Sequence, residues 1–289
     1  MIDLYDRFTH IGGTRLDLVT GMAKLAGGTA AALALIPLIE ARAEAAALTS
    51  ETDPSIIVER IIFTLPNAVR MAGYVARPPR GSSRAPKVLV IHENRGLTDH
   101  IRDVTRRLAL RGFVALAPDF LTTLGETPRT GDGTTSAGDI ARTMIGSLDP
   151  AQTVTNAVAT LKWLDGYSEG HGKPGAVGFC WGGGLVNNLA IAAGGALRTG
   201  VAYYGPAPAY VAQAARVKAR MLLHFAGLDE RINTGGAAWA SALAAAGVKV
   251  EAFTYPGVNH AFANDRSAAR FNQQATDPAR GRTLDALRL

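Results

Sequence analysis

Gly178-Phe179-Cys180-Trp181-Gly182-Gly183 is the stretch on which the reading of this chain turns. It follows the apolar run Ala176–Phe179, which has the character of a buried strand, and precedes Gly184–Ala193, which has that of a helix. A sharp strand-to-helix turn pushes its central side chain outward and strains the backbone there. Glycines two residues before and two after let neighbouring segments come close. Here the central residue is Cys180, framed at those distances by Gly178 and Gly182. The following helix points its N-terminal N–H groups at the same spot, where they favour negative charge on a thiolate or on a developing oxyanion. Most lone cysteines are small inert hydrophobes in a core. The glycine frame and the strand–helix position make this one a candidate nucleophile, with the backbone N–H of Trp181 as a candidate oxyanion donor.

A nucleophile of this kind needs a base, and the base needs an acid to orient it. On strand–turn–helix nucleophiles these follow in the order nucleophile, acid, histidine. Asp229 lies in Ala226-Gly227-Leu228-Asp229-Glu230, just past the apolar run Met221–Phe225. His260 lies in Pro256-Gly257-Val258-Asn259-His260-Ala261-Phe262, just past Val250–Tyr255. Both therefore fall at C-terminal ends of strands, where open α/β sheets bind ligands. Glu230 competes with Asp229 for the acid role, and a turn residue or a surface histidine is the bland alternative for each. His224 sits inside a strand pattern and reads as structural.

The rest of the chain supplies the sheet this site requires. Ile56–Leu65 and Met71–Ala76 read as antiparallel strands, and Val88–His92, Val114–Ala117, Ala176–Phe179, Gly200–Tyr204, Met221–Phe225 and Val250–Tyr255 as further strands. Helical patterns fall between them at Ile101–Arg111, Thr153–Leu164, Gly184–Ala193, Ala209–Val217 and Gly236–Ala246, with a last helix at Thr276–Leu289. This alternation predicts an α/β fold with a mostly parallel central sheet, flanked by helices on both faces. Leu121–Leu148 is rich in Gly and Thr with little apolar periodicity, and reads as a long insertion above the sheet.

The 289 residues carry a net charge of +6, but the basic residues are scattered and interrupted by acidic ones, which argues against a nucleic-acid surface. One cysteine excludes an intrachain disulfide, and the six histidines show no metal-ligand spacing. With no phosphate loop or dinucleotide fingerprint either, no cofactor and no metal are expected. Residues 1–50 differ in composition from the domain that follows at 51–289. The apolar run Leu25–Ile39 and the alanines after it have the layout of an export signal, similar to a twin-arginine signal in which only Arg15 of the pair is present. The run is about 15 residues long, short of the roughly 18 needed for an integral membrane span. The other reading is a retained extension packed on the domain or on a second copy, which would suit a homodimer. That reading, and with it the cytoplasm, is preferred over periplasmic export.

With Cys180, Asp229 and His260 in this order, residues 53–289 resemble the dienelactone hydrolase (carboxymethylenebutenolidase) family of α/β-hydrolases. The resemblance is carried by Val90-Ile91-His92-Glu93-Asn94-Arg95-Gly96, Ala117-Pro118-Asp119-Phe120, the Gly178–Gly183 turn, Tyr203-Tyr204-Gly205 and Asn259-His260-Ala261-Phe262. It implies that Glu93 takes part in forming the thiolate and that the N–H of Asn94 is the second oxyanion donor. The family's two arginines that grip a substrate carboxylate match Thr123 and Asn264 here, so an anionic lactone loses contacts worth about 1.5–3 kcal/mol each. Arg266, Arg95 or Arg129 could substitute. Arg95, Thr123, Tyr204, Phe262 and Asn264 are the candidate pocket residues. The expected activity is hydrolysis of a small-molecule ester or lactone. The alternatives are a general carboxylesterase, or a non-catalytic binding protein using Cys180 as a thiol switch.

Overall fold

The computed structural model describes residues 19–21, 23–24, 28, 49–79, 84–131 and 135–288. The two readings of the N-terminal extension lie almost wholly outside the described residues. From Thr49 onward the chain enters the domain, and the Thr49 N–H donates to Asp103 Oδ1 at 2.7 Å. No helix among the described residues is long and apolar enough to cross a membrane.

Eight strands form one sheet: β1 (Ile57–Thr64), β2 (Arg70–Arg77), β3 (Pro86–Ile91), β4 (Val114–Pro118), β5 (His171–Phe179), β6 (Thr199–Tyr203), β7 (Arg220–Ala226) and β8 (Val250–Tyr255). Their spatial order is β1-β2-β4-β3-β5-β6-β7-β8. β1 and β2 pair antiparallel, as do β2 and β4, and every other neighbouring pair is parallel. The central strands are continuous apolar runs because both of their faces are covered. Val88 and Val90 face one core while Leu89 and Ile91 face the other, following the two-residue period of a strand.

Six α-helices of the described chain cover these faces or the sheet's end: α1 (Asp99–Leu110), α2 (Ala137–Gly146), α3 (Pro150–Asp165), α4 (Trp181–Ala193), α5 (Glu230–Ala245) and α6 (Gln273–Arg288). Ile101 and Leu108 of α1 and Ala279 and Leu284 of α6 bury against one face. Leu161 of α3, Leu189 of α4 and Trp239 of α5 bury against the other. Local signals set several boundaries. Asp149 caps α3 by accepting from the Gln152 N–H at 2.7 Å, with Pro150 as the first helical residue. Gly112, at φ 88°, ends α1 in the left-handed region that glycine enters without strain.

Two expectations change. The helix expected at Ala209–Val217 is a 3-10 segment, Val211–Arg216. It lies between Pro206 and Pro208 on one side and Val217 on the other, too short a span for an α-helix to propagate. The insertion Leu121–Leu148 is not irregular throughout. It holds a 3-10 turn at Thr122–Leu124 and the helix α2, capped by Ser136. Leu121, Ala141 and Ile145 form a small separate core there, against which Trp181 packs. That core is assembled from both ends of the insertion, so no single window displays its periodicity. Elsewhere the differences are at boundaries: α4 starts at Trp181 rather than Gly184, and β5 starts at His171 rather than Ala176.

Candidate active site

The turn between β5 and α4 places Cys180 at φ 55° and ψ −118°, a conformation costing about 1–3 kcal/mol for a residue with a side chain. Backbone bonds hold it there: the Cys180 N–H donates to Tyr203 O at 3.0 Å, and the Gly184 N–H to Cys180 O at 3.1 Å. The glycine frame is steric. A Cβ on Gly178 would stand 2.2 Å from Gly182 O, and one on Gly182 would stand 2.4 Å from His92 O. α4 therefore begins in direct contact with the end of β3. As the first helical residue, Trp181 has an N–H with no carbonyl of its own helix to reach.

Asp229 and His260 come to the same end of the sheet from the loops after β7 and β8. The Leu228 N–H donates to Val258 O at 3.0 Å and the Gly227 N–H to Tyr255 O at 2.8 Å, tying the two loops together. His260 Nδ1 and Asp229 Oδ2 are 2.5 Å apart, and both side chains are buried. Burial alone would lower the His260 pKa. The charge of Cys180, the hydrogen bonds His260 donates to Asp229 and Cys180, and the charge of Asp229 outweigh it and raise the value to about 9. Glu230, the competing acid, is exposed at the start of α5.

Glu93 follows β3, where His92 is locked by Nδ1 on Glu93 O at 2.7 Å and Nε2 accepting from the Phe120 N–H at 3.2 Å. The His92 ring stacks on Trp181 at 5.2 Å, which joins this loop to the Cys180 turn. Glu93 Oε2 accepts from Asn264 Nδ2 at 2.7 Å, while Oε1 is buried with no hydrogen-bond partner. The Asn264 carbonyl accepts from the Arg266 N–H at 3.0 Å, which settles the amide orientation. Asn264 is thus committed to Glu93, and Thr123 is exposed on the Thr122–Leu124 turn. Arg95 runs against the first turn of α2, where a Cβ on Gly138 would stand 3.2 Å from its Cδ.

Tyr204, at φ 38°, lies with its ring 4.9 Å from that of His260, and its buried hydroxyl has no hydrogen-bond partner. Burial, then the charges of Glu93 and Cys180, push its pKa well up. Phe262 is fully buried behind it, 5.5 Å from the Tyr204 ring and 5.0 Å from that of Tyr255, so it packs as core. His224 is core as well, bonded to Tyr255 Oη and Thr283 Oγ1.

Two features escaped the sequence. Arg270 is buried, and its charge acts on Tyr204. Asp265 joins His100 Nδ1 at 3.1 Å and also pairs with Arg107, fastening the His260 loop to α1. These partners are some 165 residues apart, and no local pattern signals them. Gly166-Tyr167-Ser168-Glu169-Gly170 also has the spacing of a serine elbow, but it runs from helix α3 into the start of β5. It therefore lies at the opposite end of the sheet from Cys180.

The comparisons with known proteins agree with this architecture. The family model for the dienelactone hydrolase family matches residues 71–289. A provisionally named carboxymethylenebutenolidase of Saccharolobus solfataricus is 29% identical over 263 residues, covering 80% of this chain and 98% of the relative. A provisionally named hydrolase fragment of Escherichia coli is 42% identical over 102 residues, which is 35% of this chain and 87% of that one. Among solved structures, a provisionally named dienelactone hydrolase from Klebsiella pneumoniae superposes with a TM-score of 0.70 at 26% identity, covering 80% of this chain and 98% of the other. On the fold, the strand order and this match over most of its length, the chain belongs to the dienelactone hydrolase family and is a hydrolase acting on ester or lactone bonds.

Proposed function

We propose that the chain cleaves its ester or lactone through a Cys180–His260–Asp229 triad. The observation that carries this reading is one ring with two engagements. His260 is bonded through Nδ1 to Asp229 at 2.5 Å, and it interacts with Cys180, which is held in a strained turn.

Beside the Cys180 thiolate His260 holds its proton up to about pH 9, and Glu93 with its unpartnered Oε1 is suited to help take the thiol proton when the thiolate forms. The thiolate attacks the carbonyl carbon and the carbonyl π electrons move onto oxygen, where the N–H groups of Trp181 and Asn94 hold the oxyanion. Collapse breaks the bond to the leaving oxygen, which takes the His260 proton, and leaves a thioester on Cys180. Neutral His260 then removes a proton from water, the hydroxide displaces sulfur, and the acid product departs.

A thiolate expels poor leaving groups badly, so enol and aryl esters and lactones are the preferred class. With Asn264 committed to Glu93 and Thr123 in the other arginine position, uncharged acyl groups suit the site better than anionic ones. A thiol switch would need neither the acid nor the histidine. The test is turnover of phenyl acetate by Cys180→Ala, with the thioester on Cys180 of the unsubstituted protein sought by acid quench and mass spectrometry. Turnover falling to background is expected; undiminished turnover in Cys180→Ala removes the nucleophile from the mechanism.

A further inference from the structure

α1 packs mainly on β2, β4 and β3, and α6 on β3, β6 and β7, so the central strand β5 is left at the seam between them. There the structure holds a cavity of about 320 Å³. That is within the range of small-molecule sites, roughly 300–1,000 Å³. Cys180, Glu93, Asp229 and His260 do not line it. Its floor is apolar, made by Val177, Phe179 and Tyr203, with Leu108 and Leu284 on the two helix walls.

The border of the cavity is cationic. Arg107, Arg111 and Arg280 all reach it. Arg107 is neutralised by Asp103 and Asp265. Arg280 has only a 3.8 Å contact with the exposed Asp277, and Arg111 has no carboxylate partner among the described residues. Leu110, beside Arg111, is 42% exposed at the same border. An apolar slot closed by two under-neutralised guanidiniums complements one kind of ligand: an acyl tail carrying a single carboxylate.

We propose that this cavity binds an amphiphilic monocarboxylate, a medium-chain fatty acid, with its tail over β5 and its head group on Arg111 and Arg280. The site is separate from the one at Cys180 but adjoins its scaffold. Phe179 directly precedes the cysteine, and the Tyr203 carbonyl accepts the Cys180 N–H at 3.0 Å.

The test titrates the full chain, alkylated at its one cysteine with iodoacetamide, with sodium decanoate by calorimetry. One molecule per chain is expected, bound equally before and after alkylation. The surface variant Arg111→Ala/Arg280→Ala is expected to bind roughly tenfold or more weakly, with decan-1-ol binding unchanged. Val104→Trp, which fills the slot, abolishes both, and its thermal unfolding reports that it is folded. The proposal is overturned by an absence of binding to the full chain, as would follow if the residues before Thr49 occupied the slot. It is equally overturned by loss of binding on alkylation, which would place decanoate at Cys180, or by affinity indifferent to both arginines.

Discussion

Asp229→Asn keeps the shape of the side chain and removes its charge, and it tests the site where its parts are most tightly coupled. In the structure Asp229 Oδ2 lies 2.5 Å from His260 Nδ1, and Oδ1 faces Arg231 at 3.9 Å. Burial opposes protonation of His260, yet its pKa rises from 6.5 to about 9 through Cys180 and Asp229. That rise is on the order of 3 kcal/mol in favour of the imidazolium, net of burial. The Asp229 share, as one charged hydrogen bond, is about 1.5–3 kcal/mol, or roughly 10–150-fold in kcat/KM. The assay is kcat/KM for phenyl acetate between about pH 6 and 10, because a phenoxide leaving group needs the His260 proton. Activity of the wild type is expected to fall as pH rises through about 9, where His260 loses that proton. In Asp229→Asn the rate drops and the alkaline limb moves below about 9, with the Cys180 contribution remaining. Glu230→Gln, at the exposed neighbour, leaves both unchanged. If Asp229→Asn retains the wild-type rate and limb, the assignment of Asp229 as the orienting acid is wrong.

Two further predictions concern stability. Gly182→Ala places a methyl 2.4 Å from His92 O and 2.5 Å from Ile91 O, both backbone atoms of the β3 end, so α4 must lift from the sheet. A loss of about 1–3 kcal/mol in urea unfolding is expected, against a helix-propensity gain of at most about 1; an unchanged midpoint would contradict the close approach. His224, whose pKa is lowered to about 3 first by burial and then by the Arg282 charge, stays neutral in the fold where an unfolded histidine protonates below about 6.5. Its contribution is therefore present above about 6.5 and lost as pH falls toward 3, by up to roughly 4–5 kcal/mol. His224→Asn should flatten that part of the acid dependence, and equal slopes in both proteins would refute it.

Strand and helix positions were legible where a single element showed its own period, as in β3, α1 and the apolar run of β7. The Cys180 turn was legible because its steric requirement is local: glycines two residues either side of a strained centre. Asp229 and His260 were visible through loop position and chain order, without any knowledge of distance. α2 and the core under the insertion were not legible, since Leu121 and Ile145 meet only after the chain has turned back over Trp181. Val211–Arg216 has the composition of an α-helix but not the span, and it is a 3-10 segment instead.

The sequence by itself determined the α/β class, the family resemblance and the identity of the residues that converge at the sheet's C-terminal end. Those are properties of short windows, period and order, and they survive without tertiary contacts. Only the tertiary structure decided what those residues touch. It committed Asn264 to Glu93, buried Phe262 as core, brought the charge of the buried Arg270 to bear on Tyr204, pinned the His260 loop to α1 through Asp265, and left a cavity over β5 between two helices. Each of these joins segments far apart in the chain, where the partner is set by how helices and loops close over the sheet rather than by any neighbour in sequence.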